Sequence, residues 1–132
     1  MNPRRERLLF VDDEPSIRAT LPLILERELG VEVLVAATVP EALDSIRNYN
    51  FDALLSDLNI SSEDDGFEVV AAMKRSQPDC LNFILTGYPA FESAVRGIRE
   101  EIADYFTKPA DLKFMVSAIR NKLETRRKRI SG

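Results

Sequence analysis

A chain of 132 residues, 45% hydrophobic and 30% charged, has the size and apolar content of one packed soluble domain. The single cysteine, Cys80, excludes an internal disulfide and a cysteine-built metal cluster, and the lack of histidine excludes imidazole ligands, imidazole general bases and a phosphohistidine relay. The net charge of −4 is unevenly spread: from Arg120 onward six basic residues face one acid, Glu124, so that end carries +5 and the remainder −9.

The first apolar run, Leu8 to Val11, is nearly continuous, as a strand covered on both faces should be. Asp12, Asp13 and Glu14 stop it. Pro15 then opens a helix with an apolar face of Ile17, Leu21, Ile24 and Leu25, and Gly30 suits its exit. Glu14 reads as a first-turn acid of this helix, and Pro22 inside it should kink it or lower its stability. Val31 to Ala36 predicts a second strand. Thr38-Val-Pro-Glu41 has the form of a capping box, with a helix to about Tyr49.

Asp52 to Asp57 predicts the third strand, followed by a polar turn from Asn59 to Asp65 and, after Gly66, a helix carrying Phe67, Val70, Ala71 and Met73 that ends by Pro78. Leu81 to Leu85 predicts the fourth strand, closing at Thr86-Gly87, and Pro89 opens a helix through Glu100. Asp104 to Thr107 is a short fifth strand before Lys108-Pro109. The last helix carries Leu112, Met115, Val116, Ile119 and Leu123 at helical spacing. The expectation is an α/β fold of (βα)5 type, a doubly wound sandwich around a five-stranded parallel sheet with helices on both faces. Residues 1–125 are expected to form the domain, and 126–132 a basic helix end or tail, or a linker to an output domain. Basic side chains at a helix C-terminus complement its dipole, so neither membrane nor direct nucleic-acid binding is expected of that tail. No apolar run approaches the roughly 20 residues of a membrane span, and a reducing cytoplasm is the expected location.

The chemistry gathers at the C-terminal ends of the predicted strands: Asp12 and Asp13 after the first, Asp57 after the third, Thr86 after the fourth and Lys108 after the fifth. Ligands of open parallel sheets bind outside those ends. If the second strand lies outside the first, strands one and three are neighbours and their carboxylates converge. Such a cluster needs a compensating cation, and all-oxygen ligands suit a hard ion, Mg2+ or also Mn2+. With Lys108 and the Thr86 hydroxyl to hold phosphoryl oxygens, the set is equipped for phosphoryl transfer to a carboxylate. Asp12 and Asp13 also suit capping the helix that follows, and one of them can do both. Thr86 also suits satisfying local backbone groups, and Cys80 reads as structural.

The runs VDDEP, DLN around Asp57, LTGYP and DYFTKP, in this order and at these intervals, resemble the motifs of response-regulator receiver domains of two-component signalling, over essentially Leu8 to Leu123. The resemblance implies strand order 2-1-3-4-5, Asp57 as phosphoacceptor, Asp13 as direct metal ligand and Asp12 as one acting through water. It implies that Asn59 offers a backbone carbonyl to the metal, and that Thr86 and Lys108 grip the phosphoryl group. Tyr105 matches an aromatic whose rotamer follows Thr86, and the Lys108–Pro109 bond matches one that is usually cis.

It further implies a sensor histidine kinase or a small phosphodonor as the source, loss of the group by hydrolysis, and a shift of the face made by the fourth helix, fifth strand and fifth helix. Partners would read that face, through homodimerisation or through an output domain or downstream effector. Two departures stand out. Ser61 replaces a frequent proline, and the acidic segment before Gly66 (Glu63, Asp64, Asp65) is about one residue longer than usual.

The chain would act as a self-modifying switch rather than a multiple-turnover enzyme, as the receiver of a larger regulator or as a stand-alone receiver. The alternative class is a metal-dependent phosphatase or phosphotransferase using an aspartyl phosphate. The haloacid-dehalogenase-type signature, however, places Asp-x-Asp after the first strand, where this chain has adjacent Asp12 and Asp13. A receiver-like scaffold unable to accept phosphate is disfavoured because no site residue is missing. Nucleotide hydrolysis is disfavoured because no Gly-rich phosphate loop is present.

Overall fold

Five short strands and five helices alternate along the chain in a computed structural model that describes residues 5–87 and 90–131. The strands are β1 (Arg7–Val11), β2 (Glu32–Ala36), β3 (Ala53–Asp57), β4 (Leu81–Thr86) and β5 (Asp104–Thr107). The helices are α1 (Pro15–Leu29), α2 (Val39–Asn48), α3 (Gly66–Ser76), α4 (Phe91–Arg99) and α5 (Leu112–Ser131). All four strand pairings are parallel, in the order β2-β1-β3-β4-β5, as the resemblance implies. β1 and β3 are therefore adjacent, and Val11 pairs with Ser56 at their C-terminal ends.

Because successive strand residues point to opposite faces, β1 feeds both layers. Leu9 and Val11 pack with Leu54, Val70, Met73 and Ile84 on the face covered by α2 and α3. Leu8 and Phe10 pack with Leu25, Leu55, Phe83, Met115 and Ile119 on the face covered by α1 and α5. The central strand β3 is buried at every position, which is why its sequence shows no polar alternation.

Helix boundaries follow local chemistry. Thr38 accepts from the Glu41 N–H as predicted, while the Glu41 carboxylate reaches back to the Ala37 N–H rather than to Thr38 itself. α1 continues through the buried Pro22, which has no N–H to close onto the Arg18 carbonyl. Gly30 adopts the left-handed conformation (φ 69°) that ends α1. Glu14 is the N-cap of α1 rather than a first-turn acid. Asp52 lies just before β3, where its buried carboxylate accepts from the Arg7 N–H and pairs with Arg126 at 3.0 Å. Arg127 binds Glu6, so the start of the basic end is fastened to acids of the sheet's N-terminal edge. The predicted helix start at Pro89 lies outside the described residues; the helix itself begins at Phe91. Among the described residues, no helix is long and apolar enough to cross a membrane.

Candidate functional site

The C-terminal ends of β1, β3 and β5 deliver three carboxylates and one ammonium to a single point. Asp12, Asp13 and Asp57 each place a carboxylate oxygen within 4.8 Å of the others. Asp12 is fully buried and Asp57 nearly so, whereas Asp13 faces solvent. Lys108 donates from Nζ to Asp12 Oδ2 at 2.9 Å and to Asp57 Oδ2 at 3.3 Å. The Lys108–Pro109 peptide bond is cis, and the Lys108 N–H donates to the Thr86 carbonyl at 2.7 Å.

The two carboxylate oxygens of Asp12 have different partners, and the N-cap of α1 is Glu14 rather than Asp12. Asp12 Oδ1 accepts from the Glu14 N–H at 2.9 Å at the mouth of α1, while its Oδ2 holds Lys108. Asp57 ends β3, and its Oδ1 accepts from the Asn59 N–H at 3.2 Å. Burial pushes the Asp57 carboxyl above its ordinary pKa and Asp12 adds to the effect, against the opposing pull of Lys108 and the Asn59 N–H. Burial alone would lower the Lys108 pKa, but its bonds to Asp12 and Asp57 outweigh it and hold the ammonium above its ordinary value. Three carboxylates against one ammonium leave an excess of negative charge built wholly from oxygen donors. That donor set fits a hard divalent cation held by Asp12, Asp13 and Asp57.

Thr86 ends β4, fully buried, one position beyond the Leu85 that pairs with Asp57. Ile84 pairs with Tyr105 and Thr86 with Thr107, so the two-residue period puts the Thr86 and Tyr105 side chains on one sheet face, toward α3 and α4. The Tyr105 ring packs against that core, and its hydroxyl is buried with no hydrogen-bond partner among the described residues. Burial and the Asp64 carboxylate push the Tyr105 pKa up; the Ala90 N–H pulls the other way without reaching hydrogen-bond geometry.

The loop from Asn59 to Asp65, an acidic turn in the sequence, is built around two carboxylates. Asp65, nearly buried, accepts from the Ile60 N–H at 2.6 Å, the Ser61 N–H at 3.0 Å, the Ser61 hydroxyl at 3.1 Å and the Ser62 N–H at 3.0 Å. Asp64 adopts φ 59°. Its N–H donates to Asn59 Oδ1 at 2.7 Å, and its carboxylate accepts from the Ser93 hydroxyl at 3.1 Å. An Asp-Asp-Gly run signals a turn, but nothing in it tells which acid folds inward or that Ser93 answers from α4. Gly66 closes the loop: its N–H donates to the Leu58 carbonyl, and a Cβ there would lie 2.3 Å from the Asp57 carbonyl oxygen.

Comparison with known proteins points the same way. The family model described as the response regulator receiver domain matches residues 8–120. The alginate biosynthesis transcriptional regulatory protein AlgB of Pseudomonas aeruginosa is 32% identical over 123 residues, which are 93% of this chain and 27% of AlgB. The chain thus spans about a quarter of the length of AlgB and similar curated regulators. The crystal structure of a response regulator receiver domain protein (CheY-like) from Methanospirillum hungatei JF-1 superposes with a TM-score of 0.88 at 30% identity, covering 96% of this chain and 99% of that one. A response regulator protein from Burkholderia pseudomallei, solved with a phosphorylated aspartic acid, a calcium ion and citrate, matches with a TM-score of 0.79 at 27% identity, over 94% of this chain and 72% of that one.

Proposed function

The chain belongs to the response regulator receiver domain family, and from that premise we propose that it is a signalling switch driven by reversible phosphorylation of Asp57. One observation carries the reading: the Asp57 carboxylate closes the central strand inside a three-carboxylate cluster, with the Lys108 ammonium 3.3 Å away. An Asp57 oxygen attacks the phosphorus of a phosphohistidine on a sensor kinase, or of a small acyl phosphate. The P–O bond to Asp57 forms as the bond to the donor breaks, and the donor leaves with the electron pair. Lys108 and the Thr86 hydroxyl hold the phosphoryl oxygens where negative charge is concentrated. Water then attacks the phosphorus and releases phosphate, restoring the carboxylate.

Mg2+, or Mn2+, is the fitting cation for Asp12, Asp13, Asp57 and the Asn59 carbonyl; when bound it neutralises charge on the transferred group. The message leaves through Thr86 and Tyr105 to the α4-β5-α5 face. Ile98 and Phe114, 77% and 63% exposed there, offer apolar surface to a second copy or an output domain. The longer regulators that this chain resembles in part favour an attached output domain in the cytoplasm.

Intact mass after incubation with Mg2+ and acetyl phosphate tests the reading. The expected result is one phosphoryl adduct on the natural chain and none on Asp57→Asn. Absence of the adduct, or normal labelling of Asp57→Asn, overturns it. Steady turnover of diverse phosphoesters would instead favour a phosphatase.

A further inference from the structure

Among the described side chains of α4 the buried positions are Ser93 and Gly97, while Ile98 points to solvent. Polar contacts to α3 and its entry loop help to hold the helix. The Ser93 hydroxyl donates to Asp64, the Arg96 guanidinium lies 4.6 Å from the centre of the Phe67 ring, and Lys74 donates to the Glu100 carbonyl at 2.7 Å. The first of these contacts continues inward. Asp64 donates its N–H to Asn59 Oδ1, and Asn59 donates its own N–H to Asp57 Oδ1. Three hydrogen bonds thus run without a gap from the β3 carboxylate to α4, through the loop that departs from the family pattern.

We infer that Asp64 is a positioning residue of the phosphoacceptor site, gripping Asn59 on one side and Ser93 of α4 on the other, so that the cation-facing loop is ordered in advance by α4. The inference rests on the phosphorylation reading and extends it. Asp64 sits in the left-handed region, where a non-glycine residue persists only if its surroundings hold it. Both of its polar ends are used there. A loop pre-ordered in this way spends none of the cation's binding free energy on its own ordering. Reciprocally, a cation at Asp12, Asp13 and Asp57 steadies the N-terminal half of α4. This line starts from the loop after β3, whereas the one through Thr86 and Tyr105 starts from β4 and β5; the Asp64 carboxylate also acts on Tyr105.

The test is a Mg2+ titration of the phosphate-free protein followed by backbone amide NMR, with hydrogen exchange at residues 93–97 as a second readout. Ser93→Ala leaves every charge in place, and Arg96 and Lys74 still hold α4. Asp64→Gly keeps the left-handed backbone and the N–H to Asn59 while deleting the carboxylate. Ser93→Ala is expected to weaken Mg2+ binding about fivefold, the scale of one ordinary net hydrogen bond. It should also abolish the Mg2+-induced slowing of exchange in α4, and have no further effect in the Asp64→Gly background. Unchanged Mg2+ affinity in Ser93→Ala, or an equal loss of affinity in both backgrounds, overturns the inference. If the natural chain binds no Mg2+, the phosphorylation reading itself fails and the inference falls with it.

Discussion

Lys108 and Asp12, 96 residues apart in the chain, meet at 2.9 Å, with Asp12 wholly buried and Lys108 partly open to solvent. A buried carboxylate is tolerable only if paired, hydrogen-bonded or bound to a cation. Lys108 answers that need for Asp12 and Asp57 together. It is thus the resident counter-charge of a site whose remaining charge is negative.

Removing that counter-charge should expose the repulsion. Lys108→Ala is expected to lose about 2 kcal/mol of stability in urea unfolding with a chelator present, because the carboxylates of Asp12 and Asp57 are left facing each other. Millimolar Mg2+ should restore most of the loss, and chelation should remove it again. A variant as stable as the natural chain in chelator would mean that the ammonium contributes nothing to the apo fold.

The core of the site was legible in the sequence because strand ends are legible. A continuous apolar run followed by Asp12-Asp13, and another ending in Asp57, place carboxylates at the sheet's edge whatever the side-chain details. The loop was not, since the roles of Asp64 and Asp65 depend on which of two adjacent acids turns inward. That choice is made by backbone conformation and by Ser93, 29 residues away. The pairing of Arg126 with Asp52 was hidden for the same reason: it joins a helix end to a strand start 74 residues apart, a distance that no local periodicity spans.

Gly66→Ala should be among the most damaging single-methyl additions. The new Cβ would meet the Asp57 carbonyl oxygen at 2.3 Å and the Leu58 backbone at 3.0 Å, and backbone atoms cannot rotate away as a side chain can. Relief requires α3 or the end of β3 to move, at about 3 kcal/mol. Because the strained atom belongs to Asp57, labelling by acetyl phosphate should slow even in the fraction that remains folded. Full stability together with full labelling would show that the close approach is readily relaxed.

Asp65→Ala should loosen the loop without opening the core. Three backbone N–H groups and the Ser61 hydroxyl lose their common acceptor. Of the three residues bonded through their N–H groups, only Ile60 is itself buried. The expected cost is about 2 kcal/mol, less than three full desolvation penalties because water reaches Ser61 and Ser62. Amide exchange at residues 60–62 should accelerate far more than exchange in β1 or β3. Uniform acceleration across the sheet would instead make Asp65 a general structural residue.

The last prediction concerns pH and lies away from the site. Cys80 is buried, and burial drives its thiol far above the ordinary value of 9.0, with Arg126 pulling the other way and Asp52 adding to the rise. A folded-state pKa above the unfolded one means that the native thiol keeps its proton while the unfolded one gives it up. The stability tied to this thiol is therefore complete below pH 9 and is lost as pH climbs above it. Urea midpoints should stay level in this respect from pH 7 to 8.5 and decline from pH 9 to 10.5, and Cys80→Ala should remove the part of that decline due to the thiol. A thiol reagent at pH 8 should label Cys80 only at the rate of unfolding, with full labelling in denaturant. Rapid native labelling at pH 8 would contradict the burial on which the sign depends.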